Sequence, residues 1–368
     1  MRSDIVLLFL SAFALFSGSP ALALAEQQQP EITEPALPRD NTPVKVNIGM
    51  RIGARFQNRS RPHQLNGAIL DTAYVETRFT GQLDRWFSWA AGFNASVPGF
   101  EAWDQNPPRV MDLTLRFQPH HAFNVWAGRL IVPADRTQLT GPFYISDWNY
   151  PGYFPGGWVG PKAGATGRDN GAVIWGQVLD ARLKYYAGVF NMIPATTAQT
   201  TNHLYVSRLS FSLIGSEPGF YQTATNFGER SLLSVGAAIQ YQSHGSGVAT
   251  EQRDLFIAMA DVLGEIDVDA VGTFTAQGTY YQFDRGQLVR GALSASVSYL
   301  TPWEVGIGRI QPLVRVQTTQ QPNWTIVDAL VNYVIHGFDL RVALNYQRTY
   351  VGAPRPAHAI ALGVTIQH

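Results

Sequence analysis

The sequence predicts an all-β protein, a transmembrane antiparallel β-barrel of about sixteen strands with a long third external loop folded inward. Three observations predict it. From Val44 onward apolar and polar residues alternate with a period of two almost everywhere. Beyond the N-terminus no apolar run approaches the ~18–20 residues of a membrane-spanning helix. Only 15% of the residues are charged, where a soluble chain carries about 25%.

The chain opens with an apolar run from about Ile5 to Phe16 and then Ala23-Leu-Ala25, the small-residue pattern of a secretory cleavage site. Residues 1–25 are therefore expected to be a signal peptide. Residues 26–43, polar and Pro-rich, are expected to form a flexible periplasmic arm. The barrel domain then fills 44–368.

In Val44–Phe56 every even position is apolar, and the odd ones are Lys, Asn, Gly or Arg. The same alternation runs through 71–79, 86–97 and 111–117, and resumes at 209–213 and 233–241. The stretch Leu255–Glu265 is the least clear, because Met259 and Asp261 resist one simple register. Segments at 273–281, 289–299, 310–317, 327–334, 340–347 and 360–367 complete the set. Each is near the ~9–11 residues of a tilted membrane strand. Short connections such as 80–84, 118–121 and 179–181 alternate with longer ones, as tight periplasmic turns alternate with external loops. Closure is required because lipid offers an open sheet edge no hydrogen-bond partners. A soluble sandwich or solenoid also alternates. Few charges on the apolar face, and aromatics near strand ends (Trp86, Phe87, Tyr150, Tyr281, Tyr299, Trp303, Tyr333, Tyr346), weigh against it.

Between Phe123–Arg129 and Gly171–Gln177 lies a stretch without clear periodicity, rich in Gly, Pro and aromatics. So long a connection points to function. Its core, 131–168, is expected to fold into the lumen as a constriction loop. Arg129, Arg136, Lys162 and Arg168, with Tyr144, Trp148, Tyr153 and Trp158, are its candidate residues.

Taking the polar face of each strand as the lumen yields Lys45, Arg51, Arg55, Arg78, Arg116, Arg208, Arg290, Arg309, Arg315 and Arg341, with Lys184 beside them. The acids in the same register are Glu76, Asp112 and Asp328. A net basic lumen is expected although the whole chain has a formal charge of +0, and such a passage favours anions. The neutral total offers no bulk attraction for nucleic acid.

The segments Gly128–Pro133, Arg168–Gly176, Ala181–Asn191, Ile310–Val316 and Asp328–Gln347 resemble, in order and spacing, the phosphate-selective porin family (porins O and P) of the Gram-negative outer membrane. The resemblance implies a passive sixteen-stranded trimeric channel, constricted by its third external loop, with an arginine ladder that guides anions such as phosphate. It also implies insertion into the lipid bilayer by the barrel-assembly machinery. Arg129 and Arg168, flanking the loop, fit the pattern. The family's lysine cluster does not recur, since Lys162 is the loop's one lysine. Ala181 stands where the family prefers Gly, and His368 where an aromatic is usual.

The absence of Cys rules out thiol chemistry, and the eight histidines fall mostly in predicted turns. His120-His121 is the one adjacent pair, poorly placed to share a metal. No G-x-S-x-G, H-E-x-x-H or P-loop pattern occurs. No cofactor and no enzymatic activity are expected. The alternatives left open are a plugged receptor or adhesin barrel and a barrel hydrolase.

Overall fold

The computed structural model describes residues 44–58, 67–96, 109–150, 153–154, 157–158, 167–191, 202–248, 251–283, 289–320, 323–351 and 356–368. The expected signal peptide, the arm and Lys162 lie outside them.

Sixteen strands form one closed antiparallel barrel. They are β1 (Lys45–Asn58), β2 (Gly67–Gln82), β3 (Phe87–Ser96), β4 (Arg109–His120), β5 (Phe123–Ile131), β8 (Arg168–Val178), β9 (Leu183–Phe190), β10 (Leu204–Ile214), β11 (Leu232–Val248), β12 (Glu251–Val268), β13 (Gly272–Phe283), β14 (Gly291–Leu300), β15 (Arg309–Gln320), β16 (Trp324–His336), β17 (Leu340–Val351) and β18 (Ala357–Gln367). Two further short strands, β6 (Tyr153–Phe154) and β7 (Gly157–Trp158), pair with each other. β1 closes the ring on β18, from Gly49 opposite Gln367 to Asn58 opposite His358.

The amphipathicity is inverted relative to a soluble protein. Leu113, Leu209 and Leu362 are each more than half exposed, while Asp112, Arg208 and Ser210 are buried. Burying a large aliphatic side chain stabilises by about 1.5–3 kcal/mol, so an apolar belt this extensive needs an apolar surrounding. The polar alternate residues fill the other face.

Three features depart from expectation. Tyr281 does not belong with the exposed strand-end aromatics; it is buried and donates its hydroxyl to Asp135 at 2.7 Å. Tyr150 likewise donates to the Thr137 carbonyl. The chain also contains a helix, α1 (Arg136–Thr140). Finally, the connections at the end of the barrel where β1 begins and β18 ends are not all tight. Residues 121–122, 269–271 and 337–339 are short turns, whereas 215–231 is a long segment. In the turn 179–182, Ala181 takes φ +60°, a left-handed conformation that costs a non-glycine residue ~1–2 kcal/mol.

Candidate functional site

The long stretch after β5 is built to lie against the polar face of the strands. Within β5, Gly128 takes φ +122°, where a Cβ would sit 2.1 Å from the Leu113 carbonyl oxygen. Leu130, Ile131, Val132, Ala134 and Leu139 then pack against Trp126, Val173, Tyr186, Leu255, Ile257 and Phe283 of the strands. Asp135 caps α1 by accepting from the Gln138 amide at 3.3 Å, and all five helical residues are buried. Gly141 ends the helix at φ +73°.

Beyond the helix, a row of arginines holds residues 142–149. An irregular segment has carbonyls that no neighbouring strand satisfies, and each guanidinium offers five donors. Arg51 donates to the carbonyls of Trp148 (2.6 Å) and Pro142 (3.3 Å). Arg341 donates to those of Ile145 (2.7 Å) and Phe143 (3.1 Å). Arg315 reaches the Asn149 carbonyl at 2.7 Å, and Arg208 the Ala134 carbonyl at 2.9 Å. Asn332 adds a bond to the Ser146 carbonyl. Trp148 packs with Leu313, Leu330, Ala343 and Ala361, and the Arg51 guanidinium stands 4.5 Å from its ring centroid.

Two of these arginines, Arg315 and Arg208, are also ion-paired, as are Arg136, Arg168 and Arg78. Arg315 bonds Asp328 at 2.9 Å and stands 3.5 Å from Asp147. Arg208 bonds both Asp261 oxygens, at 2.5 and 3.0 Å. Arg136 forks onto Glu217 at 2.7 and 2.6 Å. Arg168 meets Asp112 at 3.3 Å, and Arg78 bridges Glu76 and Asp112. Among the described residues the buried acids are Glu76, Asp112, Asp135, Asp147, Glu217, Asp261, Glu265 and Asp328; the buried bases are Arg51, Arg136, Arg168, Lys184, Arg208, Arg315 and Arg341. The buried polar face thus carries eight acids against seven bases, more acids than the three named from the strand register. Cationic character remains with half-buried Arg78, Arg116 and Arg309.

The structure disperses the other expected site residues. Arg116 stacks over Trp126, 3.9 Å from its centroid, and Arg309 donates to the Phe227 carbonyl. Lys45 is exposed at the start of β1, and Arg290 is exposed just before β14. Arg55 lies in β1 opposite Ile69 and Ala361. Arg129 belongs to β5 rather than to the loop; it pairs with Leu113, whose side of the sheet is the exposed apolar one. Tyr144 packs on Phe338 at 5.2 Å, and Tyr153 pairs with Trp158 between β6 and β7.

Two carboxyls at this site titrate apart. Burial pushes the Asp147 carboxyl up to about 6; Arg315 and Arg341 oppose the rise and Asp328 adds to it. Burial would also raise Glu217, but the Arg136 fork holds it down at about 2.

Sequence reasoning missed Asp261 and Glu265 of β12 and Glu217 in the segment 215–231. In β12, Leu255, Ile257, Met259, Asp261, Leu263 and Glu265 all lie on the buried face. That strand reads ambiguously because its buried face is apolar where the long segment packs and acidic further along. The α1 cap did have a signal, the capping-box spacing Asp135-Arg-Thr-Gln138.

No family model matches the sequence, and no curated protein matches it. The fold is similar to that of OprB from Pseudomonas putida, with 9% identity over 88% of this chain and 94% of that one and a TM-score of 0.64. It is also similar to OmpF from Salmonella typhi (9% identity, 88% and 97%, TM-score 0.60). An anion-selective porin from Comamonas acidovorans is a third such structure (12% identity, 89% and 99%, TM-score 0.56). At these identities the likeness is one of fold.

Proposed function

We propose that this chain is a Gram-negative outer-membrane channel for passive diffusion of small hydrophilic solutes, exported by its signal peptide, inserted by the barrel-assembly machinery and working as a homotrimer. In this reading the segment 131–168 folds inward and narrows the passage. Permeation favours anions, phosphate among them. The observation that carries the proposal is the row of Arg51, Arg315 and Arg341 holding the carbonyls of residues 142–149 against the polar face of a closed barrel whose other face is apolar. The anion preference rests on the half-buried arginines, and phosphate on the resemblance to phosphate-selective porins. Without a lysine cluster, phosphate is expected to permeate rather than bind tightly.

The reversal potential of the purified protein in a planar bilayer under a salt gradient tests this. The expected result is a conductance with anion bias that phosphate does not block at low concentration. A cation-selective current would overturn the anion preference. The ion pairs that buried Arg136, Arg168, Arg208 and Arg315 make with buried acids favour one second reading, a plugged receptor barrel, and an absence of conductance would turn the assignment to it.

A pH dependence arises from Asp147, which faces Arg315, Arg341 and Asp328. Its folded pKa of about 6 lies above the ordinary 3.8, so the protonated form is favoured in the docked segment. Docking is therefore firmest below about pH 4 and weakens as pH rises through 6. Acidification from pH 7.5 to 5 also removes one negative charge from the passage. The reversal potential is expected to shift toward anion selectivity over that interval, and Asp147→Asn should abolish the shift.

A further inference from the structure

The segment 215–231 leaves β10 at the end of the barrel where β1 begins and β18 ends, and it crosses the interior before returning to β11. Its first part is fixed beside β8 and β9. The Gly219 amide donates to Gln177 at 2.8 Å, and Tyr186 donates to the Phe220 carbonyl at 2.8 Å. Phe220 stacks on Trp126 of β5 at 4.3 Å. Its middle joins the long segment after β5, with the Gln222 amide on the Leu139 carbonyl (3.3 Å) and the Ala224 amide on that of Tyr144 (3.1 Å). Its last part is held by Glu265 of β12, which accepts from the amides of Asn226 (2.9 Å) and Gly228 (3.3 Å) and the hydroxyl of Thr225. From there Phe227 reaches Phe338 in the turn between β16 and β17, at 4.7 Å.

These contacts touch strands from β5 round to β16, and Tyr221 reaches β2 with its ring 5.5 Å from the Arg78 guanidinium; β1 and β18 meet the loop after β5 instead, through Phe143 and Trp148. A cavity of about 310 Å³ opens beside the start of β1 and the end of β18, lined by Asn47, Glu76, Arg78, Tyr221 and Asp339 among others. Resting on the channel reading above, we propose that 215–231 is a second pore-shaping strap, which closes the barrel over β8–β13 and confines solutes to an eccentric exit where β1 begins and β18 ends, on the terminal side of the Phe143 and Trp148 contacts with those strands. The charge at that exit is mixed, with Arg78 beside Glu76 and Asp339, so this strap and not only the loop after β5 sets what leaves the barrel.

The chain contains no cysteine, so single cysteines report cleanly. Asn47 and Ser234 are each the third residue of their strands, β1 and β11, which are diametrically opposed in the ring. Asn47 is exposed and Ser234 fully buried. The experiment treats N47C and S234C in proteoliposomes with a charged methanethiosulfonate, reads modification by intact mass, and records current in a planar bilayer. N47C is expected to react and lose current, and S234C to stay unmodified. In a chain whose residues 217–226 are replaced by a short Gly-Ser linker, S234C is expected to react like N47C. Equal reactivity of the two cysteines with the strap present, or an unreactive N47C, would overturn the proposal. Absence of current in all proteins would refute the channel reading alone, since the mass shifts still decide where the interior is open.

Discussion

Replacing Gly363 with valine is expected to drive Trp148 off the barrel wall and raise single-channel conductance while the barrel stays folded. Gly363 of β18 and Gly53 of β1 are register partners, so together they form a floor without side chains on two adjacent strands. A Cβ at Gly363 would lie 2.0 Å from the Trp148 ring, and one at Gly53 2.3 Å. Gly49, further along β1, makes the same room for Phe143 at 2.6 Å. The strand itself loses nothing by the change, because glycine inside a strand is destabilising by roughly 0.5–1 kcal/mol relative to alanine. The whole penalty therefore falls on docking of the segment, where removing a buried aromatic contact costs about 3–5 kcal/mol. Trp148→Ala should open the passage from the other partner. Gly278→Ala, where the nearest atom is 3.5 Å away, should leave conductance unchanged. Circular dichroism would verify the barrel in each variant. If Gly363→Val conducts like the parent chain, the segment at 142–149 does not limit the passage.

That glycine floor shows how unevenly the molecule was legible. Alternation alone located the strands, because each side chain must choose between an apolar and a polar surrounding and the period of a strand is two. The long stretch after Phe123 stood out for the same reason, by failing to alternate. What alternation cannot reveal is which polar residues satisfy each other. Arg51, Arg315 and Arg341 were visible as a ladder, but their partners are backbone carbonyls of residues 142–149, which carry no sequence signature. The acids were undercounted because Asp261 and Glu265 sit on a strand whose buried face is half apolar, and Glu217 sits outside any strand. The strap at 215–231 passed as an ordinary connection; Pro218 and Gly219 punctuate it as they would a surface turn, and its inward course depends on Glu265, Tyr186 and Gln177 in strands distant in sequence.

The pair Arg136–Glu217 joins the two segments and makes the second large prediction. Arg136 is fully buried, forks onto Glu217, donates its amide to Asp261 at 3.2 Å and donates a side-chain N–H to the Thr223 carbonyl at 3.1 Å. Breaking one side of a buried pair leaves an uncompensated charge and costs roughly 3–5 kcal/mol, whereas replacing both partners by apolar residues of similar size is often nearly neutral. Glu217→Gln and Arg136→Met are each expected to loosen the strap, read as faster proteolysis within 215–231 and noisier open-channel current. The double variant Arg136→Met with Glu217→Leu should lie closer to the parent chain than either single one. The sign of the pH dependence separates this lock from Asp147. The Glu217 pKa of about 2 lies below its ordinary 4.5, so the pair's contribution is complete above pH 4.5 and is lost only as pH falls toward 2. Between pH 7.5 and 5 the strap should therefore stay locked while Asp147 titrates. Proteolysis of 215–231 that accelerates across that interval would show that Glu217 is not the residue joining the strap to the loop.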